Sequence, residues 1–234
     1  MVVVLQVIYL IFNEGFHSTK SGSLISKELC GEALRLCKLL LVKERFRSGS
    51  LYALFALCCF HSSRMETKIN TNNEIVDLQY QDRSQWYKPL IVLGNYAIQK
   101  SFEYGERSVY HYEAAIAAEH LKADRFESTD WRRILELYQH LYELQPNDNI
   151  LLSMASVHLQ AGQLDQAKLL LDRIMTSRLG ARIYLLYGSY AEYYFRTDKT
   201  QPALTENNQA IALCSNDLEK AYLKKKREQM VGKV

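Results

Sequence analysis

The chain has 234 residues, 48% hydrophobic and 24% charged, which excludes wholesale disorder and leaves enough length to bury a core. Its 10 Gly and 3 Pro are too few for the turns of a β-sandwich or barrel and supply no Gly-rich phosphate loop. The net charge of +3, distributed as +4 over residues 1–70, −4 over 71–145 and +3 over 146–234, is too balanced for a dedicated nucleic-acid binder.

Apolar residues recur at helical spacing almost throughout, so the predicted fold is all-α, an antiparallel helical superhelix of about ten helices. A first helix covers about 3–14. Its apolar residues at 3, 4, 5 and 7–12 exceed one stripe, which predicts burial on most sides, by the helices at about 26–43 and 48–62 and by any part upstream of these residues. A second, about 26–43, aligns Leu29, Ala33, Leu36 and Leu40, and a third, about 48–62, is apolar all round and should be central. Residues 63–85 break the pattern. The cluster Asn70-Thr71-Asn72-Asn73 fits a small hairpin or irregular excursion, because Asn tolerates positive φ.

Helices resume at about 86–104, 109–124 and 129–144. Pro89 fits only a first turn, so the first of these starts near Trp86 to Lys88. Thr129 reads as an N-cap with Asp130 in the first turn, and Pro146 closes that segment. From 147 onwards a repeat appears. Helices at 150–161 and 164–176 are joined by Gly162. The next pair follows Ile183, Leu186, Tyr190 and Tyr194, then Pro202 to Ala212. Ala167 and Ala203 are 36 residues apart, and Ser156 and Gly188 are 32 apart, near the tetratricopeptide period. Small residues at Ala155, Ser156, Gly188 and Ala191 should let helices approach closely, and a helix at 216–231 caps the stack. The sections are therefore 1–62, 63–85, 86–146 and 147–234.

Five cysteines without a C-x-x-C pair argue against disulfides or zinc and for a reducing, cytoplasmic compartment. The N-terminal apolar run lacks a basic flank and a cleavage site, and Leu51–Phe60 is too short to span a bilayer, so no membrane partner is expected. Chemistry is sparse. Glu14 and His17 have half-site spacing for two irons, but no second copy exists. Glu113 and His120 lie seven apart on one helical face, without a nucleophile nearby. The run Lys224 to Arg227 has no interleaved aromatics and reads as a solvated helix face. No enzyme activity, metal or cofactor is expected. Among 16 tyrosines, Tyr187, Tyr190 and Tyr194 either face a groove or wedge between stacked helices.

Four strings stand in order: YLIFNEG from Tyr9 to Gly15, QDRSxW from Gln81 to Trp86, an Ala-rich helix ending at His120, and Thr129-Asp130-Trp131 followed by Tyr138. Together they resemble the C-terminal extension of a bacterial group of extracytoplasmic-function RNA polymerase sigma factors, over about residues 4–230. Phe16, Tyr87 and Pro89 depart from that family's usual residues. The resemblance implies a tetratricopeptide-like domain that follows two sigma regions, neither of which has a counterpart in these residues. It implies transcription initiation for a whole protein, with sigma core regions and RNA polymerase as partners, little direct DNA binding here, and possible control by a regulatory protein. The rival is a stand-alone tetratricopeptide-like scaffold.

Residue roles follow from the chemistry. Gly15 should take a left-handed position ending the first helix, with Asn13 and Glu14 bonding nearby backbone. Asp82-Arg83 reads as a strong pairing element, in which Arg83 can hold a carboxylate bidentately with Trp86 beneath it. These residues either pin the excursion onto the helices or shape a seam for a partner.

Overall fold

The computed structural model describes residues 1–18 and 24–232. Those residues are all-α, with eleven α-helices and no strand among them. They divide into two compact units, Met1–Asp130 and Trp131–Val234.

The first unit holds α1 (Val2–Phe16), α2 (Lys27–Val42), α3 (Gly49–Ser63), α4 (Lys88–Phe102) and α5 (Val109–Lys122). Side-chain caps set several starts. Ser26 and Ser48 accept from the backbone N–H groups of Leu29 and Leu51, and Ser108 forms a capping box with His111. Pro89 lies in the first turn of α4, where its missing N–H costs nothing. As its composition predicts, α3 is buried nearly all round. Leu51, Leu54, Leu57, Cys58, Cys59 and Phe60 are at most 2% exposed. Around it pack α1, α2, α4 and α5. All four cysteines of this unit are buried, and burial pushes Cys30 up to about 11 and Cys59 up to about 12, so they behave as small hydrophobes.

The helices of this unit supply only part of the burial expected of α1, on one face. Leu5, Ile8, Phe12 and Phe16 face the core, whereas Val2, Val3, Val7 and Leu10 are 71%, 69%, 50% and 64% exposed. Among the described residues α2, α3 and α5 pack on one stripe of α1 and leave the second apolar face open.

Between α3 and α4 the chain makes single 3-10 turns at 65–67, 78–80 and 83–85, and a lone antiparallel bridge joins Ile69 to Ile75. Asn73 has φ +59°, and the Asn70 side chain accepts from the N–H groups of Asn72 and Glu74. The excursion is thus both an irregular loop and a minimal hairpin.

The second unit holds α6 (Trp131–Leu144), α7 (Asp148–Gln160), α8 (Leu164–Arg173), α9 (Ile183–Arg196), α10 (Thr200–Leu213) and α11 (Asp217–Val231). Each packs on the next in sequence. Grouped by sequence with the middle helices, α6 falls in this unit. Gly162, φ +72°, turns the chain between α7 and α8. Ala155, Ala167, Ala191 and Ala203 are fully buried. Gly188 is no close-approach point, since an added Cβ would come no nearer than 3.8 Å to Leu223.

Candidate functional site

Most of the motif residues meet where α1, α3 and α5 end. Helix C-termini expose carbonyls that need donors, and they favour cations. The first of these ends corrects the reading of Gly15. The helix runs on to Phe16, and Gly15 sits inside it without positive φ. Glycine is required there because a Cβ would lie 2.8 Å from the backbone nitrogen of Cys30 and 2.9 Å from the Cβ of Leu29, where α2 crosses. Asn13 supplies its carbonyl to the N–H of His17 at 2.9 Å, and Glu14 accepts from the Ser18 hydroxyl at 3.3 Å.

The second motif lies in the excursion. Gln81 is buried, its Nε2 donating to the Val76 carbonyl at 3.0 Å. Its Oε1 is 3.2 Å from the Thr67 hydroxyl, which also lies 2.9 Å from the Arg64 carbonyl and accepts from Trp86 Nε1 at 3.1 Å. Asp82 does not pair with Arg83. It caps its own turn, accepting from the N–H and hydroxyl of Ser84 and from Gln85, and these bonds hold its carboxyl below the ordinary value. Arg83 stacks over Trp86 at 4.6 Å, as expected. Its acceptor, however, is no carboxylate. Nη1 donates to the carbonyls of His120 and Ala123, both at 2.7 Å, so Arg83 closes the C-terminus of α5. A helix end presents two convergent carbonyls with partial negative charge, and nothing in the sequence around Arg83 says which helix end it meets.

Lys68 treats α1 as Arg83 treats α5. Its Nζ donates to the Phe16 carbonyl at 2.7 Å and sits 3.6 Å from the Phe16 ring centre. Arg64, just past α3, lies 5.4 Å from the same ring and 3.4 Å from His61 Nδ1. Sequence reasoning missed Arg64, Thr67 and Lys68. Their signal, a basic pair four apart just after an all-apolar helix, was present in the chain.

On α5 Glu113 and His120 have separate partners. Glu113 accepts from the Tyr9 hydroxyl at 2.9 Å, and Tyr9 packs on Tyr110 with ring centres 5.5 Å apart. Burial pushes Glu113 up to about 7 against that bond. His120, seven residues on and so about 10 Å along the axis, is pushed down to about 4 by burial, with Arg64 and Arg83 adding to the effect. Each titrates in its own surroundings, and no charge effect of one on the other contributes.

Asp130 directly precedes α6 and Trp131 begins it, so Thr129 is not the cap. Thr129 is buried, and its hydroxyl has no hydrogen-bond partner among the described residues. Trp131 and Tyr138 are half-buried on α6. The tyrosines of α9 wedge between helices. The Tyr190 hydroxyl bonds Asp172 at 2.9 Å, Tyr187 packs on the Ala210–Cys214–Leu223 cluster, and Tyr194 on Ala191, Ala203 and Met230. In the basic run on α11, Arg227 bonds Asn208.

Residues 1–102 match a family of unknown function, DUF6596. The chain is 32% identical over 232 residues to an uncharacterized protein of Rhizobium meliloti (strain 1021), covering 99% of this chain and 54% of that protein. It therefore spans about half the length of the curated relative it matches. No solved structure matches it. Among the described residues no helix is long and apolar enough to cross a membrane.

Proposed function

We propose that this chain is the non-catalytic, regulatory or stabilising C-terminal domain of an alternative RNA polymerase sigma factor, acting in transcription initiation by packing against the sigma core regions of the whole protein. The observation that carries this reading is the open apolar face of α1. Val3, Val7 and Leu10 recur at helical spacing, all at least half exposed, with Val2 beside them. An apolar stripe left in water beside an otherwise well-buried helix marks a surface that another protein segment covers. The residues of the two strings support the reading from the other side. They brace the ends of α1, α3 and α5 and so hold that face rigid. The second half is tetratricopeptide-like in this reading, the compartment is the cytoplasm, and contact with polymerase and promoter runs through the sigma regions.

Replacing Val7 and Leu10 by Asp tests it. Both side chains are at least half exposed, so the thermal midpoint of this chain should move by only a few degrees, as for surface changes within about 0.5 kcal/mol. Transcription from the factor's own promoter by the full-length protein should fall severalfold at equal levels of folded protein. Unchanged transcription overturns the proposal.

A further inference from the structure

The groups gathered at the ends of α1, α3 and α5 are almost all of one sign, and not all of them are accounted for by the helix ends. Arg64, Lys68 and Arg83 bring three positive charges. Three helix C-termini offset roughly half a charge each, leaving about one and a half before Asp124 and Glu127, which act on Arg83, are counted; burial keeps His61 and His120 neutral near pH 7. Lys68 has the Phe16 carbonyl, and Nη1 of Arg83 has two carbonyls of α5. Two sets of donors remain. Nη2 of Arg83 is buried with no hydrogen-bond partner. Arg64 is half-buried, has five N–H donors and makes one polar contact, the 3.4 Å approach to His61. Among the described residues no carboxylate pairs with it. The charged neighbours that act on Arg64, His61 and His120 are cations or histidines: Arg83 on Arg64; Arg64, His17, Lys68 and His120 on His61; Arg64 and Arg83 on His120. Asp124 and Glu127 act on Arg83, and Glu14 is engaged by Ser18.

A desolvated guanidinium with so few acceptors is costly unless an anion completes it. We infer that Arg64, with Nη2 of Arg83 and the His61 imidazole, forms a binding site for a phosphate-class oxyanion, inorganic phosphate or a phosphate monoester, in the first unit. A tetrahedral oxyanion is opposite in charge to Arg64 and Arg83 and offers oxygens in several directions to donors from different elements. A planar carboxylate accepts near one plane, which suits donors converging from a single direction better than this set. The site is separate from the open face of α1 and does not depend on the sigma reading.

The test titrates inorganic phosphate into the chain against chloride at matched ionic strength, following the imidazole resonances of His61 and His120. A saturable shift with phosphate and none with chloride is expected. Arg64→Gln should weaken phosphate binding at least about tenfold, the order of one charge-assisted bidentate pair. Lys225→Gln, in the exposed run on α11, should leave it unchanged. Equal responses to phosphate and chloride, an unchanged affinity in Arg64→Gln, or loss of binding in Lys225→Gln would each overturn the site. If Arg64→Gln does not fold, the wild-type resonances decide, and the absence of a saturable shift rejects it.

Discussion

The two units satisfy their helix ends by different means. In the first, one central helix gathers a continuous core in which Phe12, Phe16, Phe60 and four cysteines are buried together. In the second, buried side chains run along the stack, from Ile134 and Leu141 on α6 through Leu152 and Val157 on α7 to Leu171 on α8, and small clusters follow it, Ala191 and Ala203 with Met230, and Ala210 and Cys214 with Leu223. Arg83 and Arg196 show the consequence for polar groups. Both donate at 2.7 Å to carbonyls ending another helix, Arg83 on α5 and Arg196 on α7 through Leu159. Arg196 carries its own counter-charge, Glu192, at 2.6 Å one turn away. Arg83 comes from a long excursion and, among the described residues, bonds no carboxylate and keeps an unused buried nitrogen. Arg196 is thus neutralised within its own helix, whereas Arg83 meets carbonyls of a helix distant in sequence.

The largest expected effect tests the continuity of that core. Phe60→Ala should destabilise the first unit by about 3–5 kcal/mol, the usual range for a fully buried aromatic. Hydrogen exchange should then quicken together in the helices α1 to α5. Quickening confined to α3 would break the contrast with the second unit.

Next comes pH, on the order of 3 kcal/mol for Glu113. Its folded value, about 7, lies above its ordinary 4.5. The stability it confers is present below about 4.5 and is lost as pH rises through about 7. His120, lowered from 6.5 to about 4, has the opposite sign, with stability present above about 6.5 and lost as pH falls towards 4. His61, which burial pushes well down, acts in the same sense as His120. Between about 4.5 and 6.5 the slopes oppose one another. Glu113→Gln should unmask the histidines, so that denaturant midpoints climb from pH 4 to 6.5 and stay level to pH 8. A midpoint that still falls between pH 5 and 8 would assign the titration elsewhere.

Gly15→Ala should cost about 1–3 kcal/mol by overpacking, since the new methyl meets backbone at Cys30 and Cβ at Leu29, neither of which yields cheaply. A gain in the urea midpoint would show that α1 and α2 part without cost.

Gly15 also marks the limit of reading from sequence. The helices were legible because a 3.6-residue period is a local signal, and caps such as Ser26, Ser48 and Asn147 sit where that period begins. The excursion was legible as a break in it. Gly15 was misread because glycine after Asn-Glu has the local look of a helix stop, whereas its reason is the crossing of Cys30, fifteen residues away. Arg83 was placed over Trp86 correctly but given the wrong acceptor, because a carbonyl pair at the end of α5 exists only once the chain is folded. The open face of α1 was hidden for a similar reason. Val3, Val7 and Leu10 are as apolar as Leu5, Ile8 and Phe12, and only packing separates the two sets.

The smallest effect is the sharpest comparison, because it makes the substitution of Gly15 at Gly188, also inside a helix. On α9 an added Cβ lies 3.8 Å from Leu223, ordinary van der Waals distance, and the backbone φ is not positive. Nothing has to shift. Alanine removes the excess backbone freedom that glycine has in the unfolded chain, worth roughly 0.5–1 kcal/mol in a helix interior, and adds a methyl contact to Leu223. Gly188→Ala should therefore slow hydrogen exchange within α9 severalfold, where Gly15→Ala quickens it in α1. Opposite signs for one chemical change arise from packing, because α1 is pressed against α2 while α9 keeps a methyl's width of room. A loss of stability in Gly188→Ala would mean that α9 and α11 lie closer than 3.8 Å allows, and that the second unit is packed as tightly as the first.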